Sequence, residues 1–128
     1  MMKRVCNALN TSEYDMIDGM DCIDYWSVSK NEKARYCRVS RKEETPDDKL
    51  VGGHVITFNA LVPHVYIVPM LSSYNARKEK LESFDVDENS LVRVPEEQER
   101  KILSDPANIA EIKRRKNASF FDTFKKLK

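Results

Sequence analysis

The amino-acid sequence predicts an α+β fold. Residues 50–58, LVGGHVITF, are rich in β-branched and aromatic side chains, and a second apolar run begins at His64. Two such runs joined by a turn of about five residues are typical of a β-hairpin. Two helix starts follow, because Ser72 or Ser73 can cap the helix formers behind it and Pro95 precedes EEQERKIL. Serine is favoured at the N-cap of a helix and proline at its first position.

The hairpin is expected to consist of a strand at 50–58, a turn at 59–63 and a return strand at 64–69. Gly52 and Gly53 interrupt the first strand and are compatible with a β-bulge. His64, at the junction of turn and return strand, is expected to be exposed. Upstream of the hairpin, residues 35–39 alternate polar and apolar side chains, which predicts a half-buried strand.

The length of 128 residues predicts one domain with three parts. Residues 1–34 are polar with scattered apolar positions and are expected to form an irregular N-terminal arm, anchored on the core by Trp26. Residues 35–81 form the hairpin-and-helix core. Residues 82–128 comprise an acidic, extended segment and C-terminal helices, with a second helix start at Asp105-Pro106 and a helix end near Lys116.

Charge is balanced overall but unevenly distributed. The chain has 22 Lys and Arg against 21 Asp and Glu, so its net charge of +1 gives no global attraction to nucleic acid. Residues 82–99 contain seven acidic residues and one Arg, whereas residues 111–128 contain seven basic residues and two acidic ones. Each segment is either an interaction surface or a solvated face, and the sequence leaves both interpretations open.

The sequence predicts a cytoplasmic protein that does not enter a membrane. It contains no apolar run near the roughly 20 residues that a membrane span requires. The basic start of the chain lacks the apolar segment of a secretory signal. The three cysteines, Cys6, Cys22 and Cys37, are widely spaced and odd in number, so we expect reduced, buried thiols.

The order of elements around His54 resembles the ββα (treble-clef) core of HNH-type endonucleases. The resemblance covers roughly residues 36–81. The segments LVGGHV and YIVPMLSSYN are similar to the letters LVGAHV and YIVPLC, two residues, CN of a subgroup found in bacteria and phages. The resemblance implies a small ββα core, extended in this chain by the N-terminal arm and the C-terminal helices.

The resemblance also implies positions for a structural zinc, and most of them have no cysteine in this chain. In the family, two cysteine pairs hold zinc between hairpin and helix. The second pair falls at Leu71 and Tyr74, and the first begins at Cys37 with its partner position at Ser40 or Lys42. We therefore expect no structural zinc. Leu71 and Tyr74 should instead bury apolar surface, each contributing about 1–3 kcal/mol.

The resemblance assigns His54 to the general base that activates water for attack on phosphorus. A divalent cation, Mg²⁺ or Mn²⁺, would stabilise the leaving oxygen. The residue before the base, often an aspartate ligand, is Gly53, and the family's middle asparagine corresponds to Tyr66. The polar candidates on the following helix are Asn75, Arg77 and Glu79. Two interpretations stay open: His54 is a base, or it is a hydrogen-bonded core residue.

Three functions follow from these observations. The first is a degenerate, HNH-like protein that binds nucleic acid or a nucleoprotein, or inhibits it, in phage–host conflict. The second is an active metal-dependent endonuclease with His54 as its base. The third is a protein–protein inhibitor that uses the acidic surface of residues 82–99. The residues expected to contact nucleic acid are Lys113, Arg114, Arg115, Lys116, Arg77 and Lys78.

Overall fold

The computed structural model describes residues 1–75 and 83–126, with side chains described as far as residue 117 in the last helix. The strands are β1 (Met2–Asn7), β2 (Met16–Ile17), β3 (Met20–Asp21), β4 (Leu50–Ile56), β5 (Val65–Leu71), β6 (Ser83–Asp87) and β7 (Val92–Arg93). The α-helices are α1 (Cys22–Lys30), α2 (Ser72–Asn75), α3 (Glu96–Ser104) and α4 (Pro106–Lys126), with 3₁₀ turns at Ser12–Tyr14 and Glu88–Ser90. The predicted α+β class is confirmed.

A five-stranded antiparallel sheet of order β6-β1-β4-β5-β7 forms the centre of the fold. The predicted hairpin is confirmed as β4 and β5, which pair without interruption from Leu50–Leu71 to Ile56–Val65. The extended segment after residue 82 is also confirmed, since it supplies β6 and β7.

The prediction of an irregular arm at residues 1–34 is wrong. Residues 2–7 form β1, which lies between β6 and β4, and residues 22–30 form α1. The pattern is weak because only Val5, Cys6 and Asn7 of this strand are buried. Pairing with strands on both sides, not local apolar alternation, stabilises β1.

Apolar side chains cover both faces of the sheet. One cluster joins the sheet to α1 and α3 through Trp26, Ile56 and Ile102. Trp26 is fully buried and its Nε1 donates to the Ser90 carbonyl at 2.8 Å, so its anchoring role is confirmed. We call the cluster on the other face the second core cluster. Its buried members are Val5, Cys37, Leu50, Val55, Val68, Met70, Leu71, Phe84, Val86 and Leu91.

The two hairpin glycines allow close packing and form no bulge. Gly52 pairs with Pro69 and Gly53 with Val68 in continuous register, so the bulge interpretation is wrong. A Cβ at Gly52 would lie 2.6 Å from the backbone nitrogen of Ile23. Gly52 therefore lets the first turn of α1 approach β4 directly.

The strand predicted at residues 35–39 does not form. Tyr36 makes one isolated bridge with Glu43, and the Arg38 amide donates to the Pro69 carbonyl at 2.9 Å. The alternating pattern therefore belongs to a loop that packs on the hairpin, where the buried Cys37 supplies its apolar contact. Pro69 lacks an amide proton and is tolerated here because this side of β5 meets a loop beyond the short β7.

Both C-terminal helix starts are confirmed. α3 begins directly after Pro95, and α4 begins at Pro106, where Asp105 Oδ1 accepts from the Ala107 amide at 2.9 Å. α4 continues past the expected end near Lys116. The helix predicted after Ser72 is described only as α2, and its continuation through Arg77 and Lys78 lies outside the described residues. None of the described helices combines the length and the apolar character that crossing a membrane requires.

Candidate functional site

His54 lies in the middle of β4 and points toward the start of α1. Its side chain is only 5% exposed, and its carbonyl accepts from the Ala8 amide at 2.9 Å. The ring Nε2 lies 4.0 Å from Cys22 Sγ. The histidine is thus buried next to a thiol contributed by the segment that the sequence suggested to be irregular.

A cavity of about 390 Å³ opens beside His54. His54 and Asn75, the two polar positions that carry the resemblance, both contribute to its wall. The other lining residues come from the 3₁₀ turn, the start of α1 and the start of β4: Thr11, Ser12, Asp15, Asp21, Cys22, Ile23, Leu50, Val51 and Gly52. The fold therefore gathers this wall from segments far apart in the sequence.

Cys22 is the first residue of α1, a position where a helix dipole can stabilise a thiolate. Burial, followed by the nearby carboxylates of Asp15 and Asp21, instead raises the pKa of Cys22 to about 11. Its Sγ donates to the Tyr14 carbonyl at 3.4 Å. Burial therefore favours the neutral thiol form of Cys22 beside His54.

Asp15 and Asp21 contribute to the wall of the cavity, yet no three His, Cys, Asp or Glu side chains among the described residues are arranged to hold a metal ion. Glu79, one of the candidate ligands on the helix that follows the hairpin, lies outside the described residues. A side chain at Gly53 would place its Cβ 2.7 Å from Met70 Sδ. The position where the family often carries an aspartate is thus filled by a neighbouring thioether.

The positions that correspond to zinc cysteines lie together in the second core cluster. Cys37 and Leu71 are buried there, and the half-buried Tyr74 packs its ring edge on Phe84 with centroids 6.4 Å apart. The predicted burial is confirmed for Leu71, while Tyr74 is half-buried against the same cluster. The Ser40 amide donates to Cys37 Sγ at 3.3 Å. The expected absence of a structural zinc stays a prediction.

The four basic residues 113–116 do not share one environment. Lys113 and Arg114 are exposed and Lys116 is half-buried, whereas Arg115 is only 8% exposed. Arg115 Nε donates to Glu111 at 2.8 Å, and its guanidinium lies 5.8 Å from the Phe58 ring centroid. Arg115 therefore packs α4 against the hairpin and is not available to an external phosphate.

The acidic segment 82–99 is largely paired within the protein. Among its described members, three form surface ion pairs: Asp85 with Arg4, Glu88 with Lys3, and Glu97 with Lys101. Internal pairing of this kind leaves less negative charge for a basic partner. The acidic-surface inhibitor is therefore the least favoured of the three functions.

Glu99 is the buried member of this segment. Its carboxylate accepts from the Val65 amide at 2.8 Å and from Arg93, and it lies 3.2 Å from His64 Nδ1. His64 is half-buried in this contact, so its predicted exposure is wrong. Burial alone would raise the pKa of Glu99, but the hydrogen bonds from Arg93, Val65 and His64 outweigh burial and hold it below its ordinary value.

A second basic segment, residues 33–42, was missed by sequence reasoning. It contains five Lys and Arg and no acidic residue, in the order KARYCRVSRK. Its alternation of polar and apolar residues predicted a strand, and its positive charge was not considered. A count of charges in a short window would have found it.

Comparison of the chain with protein-family models, curated proteins and solved structures gives no match.

Proposed function

We propose that this protein binds nucleic acid, alone or within a nucleoprotein, and does not cleave it. The observation that carries the proposal is the charge of the outer surface of α4. Lys113, Arg114 and Lys116 reach solvent there, while the neighbouring acid, Glu111, is buried and paired with both Arg114 and Arg115. The solvent-facing surface of this stretch is therefore positive.

Three cations have a measurable consequence for binding. Each neutralised phosphate contributes about 0.9 to the slope of log affinity against log salt for duplex DNA and about 0.7 for a single strand. Lys113, Arg114 and Lys116 together would account for a slope of about 2.7 on a duplex. A fourfold rise in salt should then weaken their contribution about 40-fold.

The hairpin supports a binding scaffold more than an enzyme. The hairpin segments LVGGHV and YIVP resemble those of the HNH-type family, and Leu71 and Tyr74 pack apolar surface at the positions that correspond to its zinc cysteines. His54 is buried beside a neutral thiol. Arg77 and Lys78 remain predicted phosphate contacts, and a role in phage–host conflict remains the biological context that the resemblance suggests.

The test is fluorescence anisotropy with labelled DNA and RNA, single- and double-stranded, over about 50–200 mM salt. The variant K113Q/R114Q/K116Q should bind more weakly and lose most of a slope of about 2.7 on duplex DNA. The control K3Q/R100Q/K101Q removes three exposed cations elsewhere and should bind like wild type. Absence of binding to every probe at the lowest salt would refute the proposal.

The second candidate, a metal-dependent endonuclease, is favoured by one observation: His54, Asp15 and Asp21 line the same cavity. Nicking of supercoiled plasmid with Mg²⁺ or Mn²⁺ separates the two functions. We expect no difference between wild type and H54A. Nicking by wild type that H54A abolishes, in a variant that still folds, would replace the binding proposal with the enzyme.

A further inference from the structure

Residues 33–42, which we call the basic loop, form a second positively charged surface at the other end of the hairpin from Arg115. The loop is joined to β5 through the hydrogen bond from the Arg38 amide to Pro69, which is paired with Gly52. α4 approaches the hairpin at Phe58 through Arg115. Six residues separate Gly52 from Phe58, and those after Ile56 belong to the turn, so the points at which the loop and α4 attach are at most about 20 Å apart.

Arg38 holds the basic loop in one conformation. Its side chain is 13% exposed and donates to Ser90 Oγ at 3.1 Å and to Glu32 at 3.2 Å. Its guanidinium lies 4.3 Å from the Tyr36 ring centroid and 5.1 Å from that of Trp26. These contacts order the loop before binding, so the binding free energy is not reduced by the entropy cost of ordering it.

The other four cations of the basic loop are turned to solvent. Lys33, Arg35, Arg41 and Lys42 are exposed, and none forms an ion pair with a carboxylate among the described residues. The nearby Glu44 accepts instead from the Leu50 amide at 3.1 Å. Of the four, Arg41 lies 6.0 Å from the Tyr36 ring centroid, and Lys33 and Arg35 line a cavity together with Glu43 and Glu44 without a described ion pair to either. The basic loop therefore presents four exposed cations on a segment anchored by Arg38.

The geometry points to a second phosphate-contacting surface: the basic loop and the outer face of α4 contact the backbone of one nucleic acid strand. This inference rests on the proposed function. Successive phosphates of a strand are about 3.4 Å apart along a duplex, so the hairpin span of at most about 20 Å corresponds to at most about six nucleotides. Contacts from cations to phosphates carry no sequence information, because sequence is recognised through the edges of the bases. We therefore expect this contact to be independent of sequence.

Length dependence tests the inference. The variant K33Q/R35Q/K42Q changes side chains that make no described contact, so it should fold like wild type. On single strands of about 12 nucleotides it should lose about 2 from the salt slope, whereas K3Q/R100Q/K101Q should lose none. Strands of about four nucleotides are too short to join both surfaces. On these strands, K33Q/R35Q/K42Q and K113Q/R114Q/K116Q should each lose only the affinity of the surface they alter, without the additional loss that follows when two linked surfaces are separated.

The outcomes separate this inference from the proposed function. If wild type binds no nucleic acid, the proposed function fails. If K113Q/R114Q/K116Q lowers the slope while K33Q/R35Q/K42Q matches the control, only the second surface is refuted. Equal affinity of wild type for polyglutamate and for an oligonucleotide of the same charge would also overturn the inference, because the loop would then fit any polyanion.

Discussion

The close approach of β4 to α1 makes Gly52→Ala the most informative single substitution. Gly52 lies outside the left-handed region of φ, so alanine costs no backbone strain there. The added Cβ would lie 2.6 Å from the Ile23 nitrogen, about 0.8 Å inside the 3.4 Å at which ordinary contact begins. Since this neighbour is backbone, α1 itself must move. Because three atoms of Cys22 and Ile23 lie within 2.7 Å of the added Cβ, we take the upper end of the overpacking cost, about 3 kcal/mol. The Gly-to-Ala entropy gain offsets about 0.4–1 kcal/mol, which leaves about 2 kcal/mol of lost stability.

Thermal and urea unfolding measure this loss. At this chain length about 2 kcal/mol corresponds to a fall in Tm of about 8 °C. Gly53→Ala is the matched control, because its Cβ meets the Met70 thioether, an adaptable side chain, and should cost less than about 1 kcal/mol. A Gly52→Ala protein as stable as wild type, or a larger loss for Gly53→Ala, would refute the packing argument.

Two further substitutions test buried charges. Hydrogen bonds hold the folded pKa of Glu99 below its ordinary 4.5, so the stability that Glu99 contributes is present above about pH 4.5 and is lost as pH falls through the folded value. Urea unfolding should show that E99Q is less stable at neutral pH and loses less stability on acidification; parallel pH curves would contradict this. R115Q removes one of the two cations paired with the buried Glu111 and leaves Arg114 as its remaining partner, so it should cost about 1.5–3 kcal/mol, the range for a hydrogen bond to a charged group, yet keep the wild-type salt slope in anisotropy. A reduced slope at full stability would place Arg115 on the binding surface instead.

The sequence predicted correctly those helices and strands that are specified by a few adjacent residues. The hairpin has β-branched runs on both sides of a short turn. Of the last two helices, α3 begins directly after Pro95 and α4 begins at Pro106. These features constrain a few adjacent residues and depend little on the rest of the fold. The sequence therefore predicts β4, β5 and the starts of α3 and α4 correctly.

β1 could not be predicted in this way because its partners are distant in sequence. Cys6 pairs with Ile56 on one side and with Ser83 on the other. Three of its six residues are exposed, which leaves too few apolar positions for a period-two pattern. The cavity could not be predicted for the same reason. Its lining residues Asp15, Asp21 and Cys22 belong to residues 1–34, whose contacts are with segments distant in sequence.

Arg115 is a different case, since its burial was readable from the sequence. Asn108, Glu111, Ile112 and Arg115 follow the spacing of one helix face, and all four are buried or half-buried. Residues 113–116 are consecutive, and consecutive residues of a helix point in different directions, so they do not form one charged surface. The helical phase of α4 separates the inward Arg115 from the outward Lys113 and Arg114.

The net charge of +1 conceals an asymmetry that matters for binding. Four acidic residues of the 82–99 segment have cation partners within the fold, namely Asp85, Glu88, Glu97 and Glu99. The basic loop and outer α4 turn most of their cations to solvent. At physiological salt, charges interact over about 8 Å, so a bound phosphate responds to the nearest side chains more than to the sum over the chain. A nearly neutral protein can therefore bind nucleic acid with steep salt dependence. The slope of log affinity against log salt depends on the charges of the local surface, whereas the isoelectric point depends on the charges of the whole chain.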